Sequence, residues 1–329
     1  MRAAAAALIT AALCLSGCER SPPADQPDAG VAEATAPAAA SPAPKPVWVE
    51  WNSEADGSPR SYQAGPFNVT IAKVAARDGL LRPVLTISDG DGQPLTLPGA
   101  EGGLGEVSAE FTVASLDRRT PGPQLLVRTF TYGAHCCFEY KLVERQTGDG
   151  ARRWAIHDLG QFDGAGMPDP EDVDGDGRLE LVGGDQRFLY AFTAYAFSAV
   201  PPQVQEVVAG RLVDVSADPR YRPAYAREEP EARAACAAST SNEPRPGACL
   251  AYAATMARLG RINEAWPLVG TADPTPGARR ASSDTAADAD CWDGRTYCDG
   301  NRKLAMISFR QKTQRFLIDN GYLDVKAIR

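Results

Sequence analysis

The most informative stretch of the chain is residues 172–182, which read DVDGDGRLELV. Oxygen-bearing groups recur at every second position; they are Asp172, Asp174, Asp176, the backbone carbonyl of Arg178, and Glu180. This spacing suits one Ca²⁺ ion, which takes about six to eight oxygen ligands, with water completing the shell. Gly177 lies where such a loop must turn sharply, and a residue without a Cβ does so at low cost. The stretch therefore predicts a Ca²⁺ site. A bare acidic hairpin turn is the alternative, since Asp-Gly pairs are common turn formers.

The pattern does not fit an EF-hand, because Gly183 occupies the position where an EF-hand needs a bidentate Glu. It resembles the calcium loop of FG-GAP, or integrin-like, β-propeller repeats, whose pattern is Asp-x-Asp-Gly-Asp-Gly-x-x-Asp followed by Leu. Glu180 replaces the last Asp, and Leu181 follows it. Residues 89–92, DGDG, match a shorter part of this pattern and lack its other carboxylates. The resemblance implies a calcium-stabilised turn more than a complete propeller.

The N-terminus has the features of an export signal. Residues 1–17 begin with Met-Arg and continue as an apolar run that is too short to span a bilayer. The sequence Leu15-Ser16-Gly17-Cys18 resembles the bacterial lipobox. The resemblance implies cleavage before Cys18 and a lipid anchor on that cysteine in the bacterial envelope. Because Glu19 rather than Asp follows, it favours the outer membrane, on its periplasmic or surface face, over the inner membrane. The alternative is an ordinary signal peptide that leaves Cys18 free.

The segment after the signal is predicted to be a tether. Residues 19–46 contain seven prolines and nine alanines without a period, and they cannot bury enough surface to offset the chain entropy. We therefore take residues 18–46 as lipid anchor and disordered tether. The formal net charge of the chain is −8, which argues against a nucleic-acid partner.

Residues 47–215 are predicted to form a β-rich domain. Apolar and polar residues alternate with period two in several segments, such as 67–74, 83–88 and 138–142. These segments indicate antiparallel strands in a sandwich, a barrel or a partial propeller. The aromatic run at residues 187–197 reads as one further core strand, with a sugar-stacking platform as the alternative.

Residues 216–329 are predicted to form a smaller, disulfide-linked helical region, so that the chain is α+β. Ala-rich helical segments are predicted at 228–238 and 248–259, and a last helix is predicted from Asn301 to about Asn320. In that helix Met306, Phe309, Thr313 and Phe316 would form one buried stripe.

Six cysteines remain once Cys14 leaves with the signal and Cys18 carries lipid; they are Cys136, Cys137, Cys236, Cys249, Cys291 and Cys298. Three disulfides are predicted, and proximity in the sequence favours Cys236 with Cys249 and Cys291 with Cys298. Cys136 would then have only its neighbour Cys137 as a partner. A bridge between them would be strained and reducible, so separate partners in the C-terminal half are the alternative. The surrounding GAHCC sequence resembles that of uncharacterised exported bacterial proteins.

These features predict a non-catalytic, calcium-stabilised envelope lipoprotein that acts as a binding or structural module. Its partners would be the membrane, through Cys18, and an envelope protein or glycan. The alternative is an envelope hydrolase of glycan or peptide that uses Asp or Glu carboxylates, which need no local motif. A third class, a thiol-based redox protein, would require reduced Cys136 and Cys137.

Overall fold

A computed structural model describes residues 42–90, 92–102, 104–120, 122–133, 136–148, 151–240, 243–272 and 309–324. Several predictions fall outside these residues, namely those on the signal, on Cys18, on most of the tether, and on Cys291, Cys298 and Met306. The strands are β1 (Val49–Asn52), β2 (Arg60–Ala64), β3 (Phe67–Ala75), β4 (Leu81–Ser88), β5 (Leu95–Pro98), β6 (Ser108–Ala114), β7 (Gln124–Phe130), β8 (Phe138–Gly148), β9 (Ala151–Phe162), β10 (Asp169–Glu171), β11 (Glu180–Gly184), β12 (Pro202–Val208) and β13 (Arg211–Asp214). The helices are α1 (Arg222–Ala237), α2 (Pro246–Arg258), α3 (Ile262–Val269) and α4 (Phe309–Asp319).

The strands form three antiparallel sheets. Sheet A has the order β1-β6-β7-β8-β9, sheet B has the order β2-β3-β4-β5, and sheet C has the order β10-β11-β12-β13. Within the described residues no sheet closes into a barrel, and the sheets are not the blades of a propeller. The prediction of a β-rich domain followed by helices is confirmed, and sheets A and B form a sandwich.

Sheet A is the middle layer, because both of its faces are covered. On β7, Leu125 and Val127 pack with buried residues of sheet B, such as Ile71. The intervening Leu126 points the other way and packs with Leu181 of sheet C. This alternation follows from the pleat of a strand, on which successive side chains point to opposite faces. Sheet A thus contributes to two separate hydrophobic cores.

The helices build a further core around a disulfide. Cys236 of α1 is bonded to Cys249 of α2, with 4.5 Å between the Cα atoms, and both side chains are fully buried. This is the pairing that proximity in the sequence favoured. In α4, Phe309, Thr313 and Phe316 are buried, as the predicted stripe requires. None of the helices in the described part of the chain is both long and apolar enough to cross a membrane.

The prediction of a strand at residues 187–197 is wrong. Two short 3-10 turns occupy this segment, and Asp185 begins the first of them by accepting a hydrogen bond from the Arg187 amide. Phe188 packs into the helical core, with its ring centroid 5.0 Å from that of Phe316. Tyr190, in contrast, is 58% exposed. The aromatic residues therefore divide between the core and the surface, and no strand face is formed.

Candidate functional site

The acidic loop connects β10 and β11, whose register pairs Glu171 with Glu180. Its side chains organise its own backbone. The Asp172 carboxylate accepts hydrogen bonds from the amides of Gly175, at 2.8 Å, and Gly177, at 2.9 Å. The Asp174 carboxylate accepts from the Asp176 amide at 3.1 Å, and the Asp176 carboxylate accepts from the Arg178 amide at 2.9 Å. These local bonds wrap the loop around its own carboxylates.

Three of the predicted ligands come together in this loop. Carboxylate oxygens of Asp172, Asp174 and Asp176 all lie within 4.8 Å of one another. The turns depend on Gly175 and Gly177, whose φ angles of 75° and 84° are in the left-handed region that favours glycine. Hard oxygen ligands gathered at this separation fit Ca²⁺. Arg178, whose carbonyl is the fourth predicted ligand, lies in the same loop and is exposed.

Glu180, the fifth predicted ligand, is placed differently. Its side chain is fully buried and does not belong to the group of three carboxylates. One carboxylate oxygen accepts a hydrogen bond from the Val173 amide at 3.2 Å, and the other lies 3.2 Å from a guanidinium nitrogen of Arg118. The pKa of Glu180 is raised to about 7. Burial is the largest cause, and the negative charges of Asp174 and Asp176 act in the same direction, while the hydrogen bond from the Val173 amide opposes them.

The loop contacts segments that are distant in the sequence. The backbone amide of Ala43, which precedes β1, donates to Asp172 at 2.7 Å. Arg220, which precedes α1, lies 3.3 Å from Asp174. Burial raises the pKa of Asp172, but amide hydrogen bonds from Ala43 and the loop outweigh it, so that this pKa lies below its ordinary value. Asp172 is therefore held as a carboxylate, the form that binds a cation.

A buried network lies beneath the loop. Arg118 is 2.8 Å from a Glu206 oxygen, and the Tyr221 hydroxyl donates to Glu206 at 2.6 Å. Together with Glu180, these residues come from the β6–β7 connection, two strands of sheet C and the start of α1. The sequence alone does not indicate Arg118, Glu206 or Tyr221, because they are far apart in the chain and no local motif marks them.

A second cluster of side chains lies directly before the start of β8. The structure pairs Cys136 with Cys137, so that of the two alternatives it shows the adjacent bridge. A carboxylate oxygen of Asp163, the residue after β9, lies within 4.8 Å of both sulfur atoms. Asp163 is 6% exposed and accepts a hydrogen bond from the Tyr195 hydroxyl.

A shallow cleft of about 520 Å³ opens near the same end of sheet A. Its lining includes two carboxylates, Glu101 and Glu139, and two cations, Arg82 and Lys141. Glu101 is ion-paired with Arg82, and Glu139 accepts a hydrogen bond from Gln161 at 3.1 Å. The cleft is therefore polar, with charges of both signs.

Comparison with known proteins identifies the family but not an activity. No family model matches the sequence, and no solved structure matches it. The chain is 30% identical over 255 residues to the probable thylakoid lumen protein sll0997 of Synechocystis sp., an alignment that covers 74% of this chain and 69% of that protein. It is 29% identical over 286 residues to the uncharacterized protein y4bJ of Sinorhizobium fredii, covering 85% of this chain and 42% of that protein. The chain belongs to the family of the Synechocystis lumen protein.

Proposed function

We propose that the chain is an exported, calcium-stabilised and non-catalytic protein of the bacterial envelope that acts as a binding or structural module. The observation that carries this proposal is the convergence of Asp172, Asp174 and Asp176 within 4.8 Å on one hairpin loop. Like charges at this separation repel one another, and a divalent cation relieves the repulsion more fully than the neighbouring Arg220 does. The FG-GAP-like spacing of the loop supports the same choice of ion.

The proposed location rests on the N-terminus and on the relative. The Synechocystis relative is named a thylakoid lumen protein, and proteins reach a lumen by export. The signal-like residues 1–17 agree with export, and we propose that lipid on Cys18 anchors the mature chain, in the outer membrane in preference to the inner. The proposed partners are an envelope protein or a glycan, and the negative net charge of −8 argues against nucleic acid.

The test is a thermal melt of the full chain with Ca²⁺ and with a chelator, alongside Asp174→Ala. Extracellular-type calcium sites have dissociation constants of about 10⁻⁴ to 10⁻³ M. At ten times the dissociation constant, binding to the native state alone stabilises it by about 1.4 kcal/mol, or roughly 2–4 °C in Tm. We expect the wild type to show this shift and Asp174→Ala to lose it.

The matched control is Asp158→Ala, which removes an exposed carboxylate on β9 instead. Its 3.7 Å ion pair with Lys141 is at the surface, so this variant should keep the full calcium shift. A wild-type melting curve that is the same in Ca²⁺ and in chelator would reduce the loop to an acidic turn and remove the proposal.

A second candidate function, hydrolysis of envelope glycan or peptide, is favoured by the cleft that contains Glu101 and Glu139. Such chemistry uses one carboxyl group as acid and another as base or nucleophile. The existing pairing of Glu101 with Arg82 makes it less suited to that work. Release of soluble fragments from peptidoglycan by the wild type, lost in Glu139→Gln, would favour this candidate over the non-catalytic module.

A further inference from the structure

The group formed by Cys136, Cys137 and Asp163 is separate from the calcium loop. Both cysteines are half-buried and therefore remain reachable from solvent. Asp163 is 6% exposed, and its carboxylate lies within 4.8 Å of both sulfur atoms. A reachable disulfide with a buried carboxylate beside it is a chemical arrangement that the calcium-binding proposal does not use.

This disulfide contributes little to the stability of the fold. A disulfide stabilises mainly by restricting the unfolded chain, and the effect grows with the logarithm of the length of the loop that it closes. Cys136 and Cys137 are consecutive and enclose no other residue. The second disulfide offers the contrast, because Cys236 and Cys249 are 13 residues apart and fully buried. The two bridges in the described part of the chain thus differ in both exposure and structural effect.

Hydrogen bonds that do not involve sulfur hold Cys137 beside Thr131. The Thr131 amide donates to the Cys137 carbonyl at 2.8 Å, and the Cys137 amide donates to the Thr131 hydroxyl at 2.7 Å. Gly133 also lies tightly against the Cys136 carbonyl, since a Cβ at this position would be 2.0 Å from that oxygen. These contacts can hold Cys136 and Cys137 in place whether the sulfur atoms are bonded or not.

We propose that Cys136 and Cys137 form a reversible thiol–disulfide exchange site whose reaction partner is a dithiol. A thiolate of the dithiol attacks one sulfur atom, the bond between Cys136 and Cys137 breaks, and a mixed disulfide forms. The freed cysteine leaves as a thiolate and takes up a proton. The second thiolate of the dithiol then attacks the mixed disulfide and releases the other cysteine, which is also protonated. Two electrons and two protons pass in total from the dithiol to the pair, and the dithiol becomes a disulfide.

Asp163 carries one of the two protons in this scheme, and solvent exchanges the other with the half-buried cysteines. When the cysteine pair is being oxidised, Asp163 accepts the proton from one cysteine thiol, and the resulting thiolate attacks the oxidised partner, since the thiolate is the nucleophile. In the reducing direction Asp163 returns the proton to the sulfur atom that leaves. Its hydrogen bond from the Tyr195 hydroxyl fixes the carboxylate beside the sulfur atoms.

The first test uses the full chain, purified without reductant and titrated with dithiothreitol. Newly formed thiols are alkylated and assigned to individual cysteines by mass spectrometry, while circular dichroism follows the fold. We expect Cys136 and Cys137 to be alkylated together, with the fold retained and Cys236 and Cys249 still bonded. Oxidised dithiothreitol should restore the disulfide. Alkylation of Cys136 and Cys137 only when the fold is lost, or only together with Cys236 and Cys249, would overturn the proposal.

The second test compares Asp163→Asn with Asp158→Asn, an exposed carboxylate on β9 as the matched control. Loss of a proton carrier should slow exchange with dithiothreitol about tenfold or more and alter its dependence on pH. The control variant should exchange at the wild-type rate. A wild-type rate and pH profile in Asp163→Asn would contradict the role given to Asp163. Both tests can be made without Ca²⁺, so their outcome is separate from that of the calcium proposal.

Discussion

Arg128 shows how one charged side chain is accommodated in the interior. It is 8% exposed on the face of sheet A that meets sheet C. Its guanidinium donates to Glu110 at 2.8 Å, to Asp169 at 3.0 Å and to the Tyr140 hydroxyl at 3.1 Å. The ring of Trp48 lies 4.0 Å from the guanidinium carbon, an arrangement that adds a cation–π contact. Each part of the buried cation thus has a partner.

We expect Arg128→Ala to destabilise the protein by about 2–3 kcal/mol, because the carboxylates of Glu110 and Asp169 and the Tyr140 hydroxyl lose their cationic hydrogen-bond donor. Partial exposure of Asp169 and Glu110 keeps the cost below that of a fully buried pair. Urea denaturation measures the difference. Arg153→Ala, at an exposed position of β9, is the control and should change stability by no more than about 0.5 kcal/mol. Equal effects of the two substitutions would show that the Arg128 network is not stabilising.

Gly210 gives a second test at the scale of one residue. It ends the turn between β12 and β13 with φ 72°, and a Cβ there would lie 2.0 Å from the His157 ring. The atom in question is Nδ1 of His157. The ring has little freedom to move away, since its Nε2 atom is 2.9 Å from a carboxylate oxygen of Glu144. Gly260 has a similar φ of 74° but nothing within 4 Å of an added Cβ.

We expect Gly210→Ala to cost about 2–3 kcal/mol and Gly260→Ala about 1 kcal/mol, the latter being the cost of the left-handed backbone alone. The difference between the two free energies of unfolding isolates the clash with His157. If both variants lose the same stability, the ring must be able to move, and the proposed clash has no energetic effect.

The residues of the acidic loop illustrate what a sequence can and cannot predict at this scale. The convergence of Asp172, Asp174 and Asp176 could be predicted because alternate spacing within one tight loop brings side chains together without help from the rest of the fold. Glu180 was expected to join them, but the first residue of β11 is fixed by the sheet. Its carboxylate therefore follows the strand into the interior and contacts Arg118. No local pattern indicates that partner, 62 residues away.

At the scale of elements, the strands were easier to predict than the aromatic segment. Alternation in β3 is reliable because one face of that strand is buried and the other is exposed. Residues 187–197 show a similar alternation but do not form a strand. Asp185 begins a 3-10 turn by accepting a hydrogen bond from the Arg187 amide. The Tyr190 amide donates to the Ser198 hydroxyl and not to a neighbouring strand. Aromatic periodicity alone could not reveal that the partner of Phe188 would be a helix.

The disulfide between α1 and α2 should contribute measurably to the free energy of unfolding. It closes a loop between residues 13 positions apart, so we expect the double variant Cys236→Ala, Cys249→Ala to lose about 3 kcal/mol. The double variant Cys136→Ala, Cys137→Ala should lose less than about 1 kcal/mol, since consecutive residues enclose no loop. Guanidinium denaturation of both variants tests the contrast. A larger loss in the second variant would mean that the adjacent pair has a structural role.

At the scale of the whole molecule, the three layers could not be read from the sequence. The apolar run in β7 is consistent with one buried face or two, and only the arrangement of sheets B and C shows that both faces are covered. The acidic loop between β10 and β11 is the other long-range feature. It joins Ala43, which precedes β1, to Arg220, which precedes α1, and Glu180 at its end reaches Arg118 in the β6–β7 connection.

These contacts predict which segments should lose protection from hydrogen exchange when Ca²⁺ is removed. If the ion holds the loop in shape, its loss should loosen the segments attached to the loop. We expect hydrogen exchange in chelator to increase at residues 42–48, 116–119 and 218–225. Strands β2 to β5 of sheet B make the internal control, because their core is shared with the opposite face of sheet A. Their protection should not change.

The pattern of hydrogen exchange distinguishes a global effect of Ca²⁺ from a local one, whereas a melting curve reports only the total stability. Faster exchange in every segment, sheet B included, would mean that Ca²⁺ stabilises the native state only as a whole, through mass action. Faster exchange confined to the loop would mean that the ion is bound but that Ala43 and Arg220 do not transmit its effect. The Asp174→Ala variant should show the chelator pattern even in Ca²⁺, since it removes both a carboxylate of the proposed site and one of the ion-pair partners of Arg220.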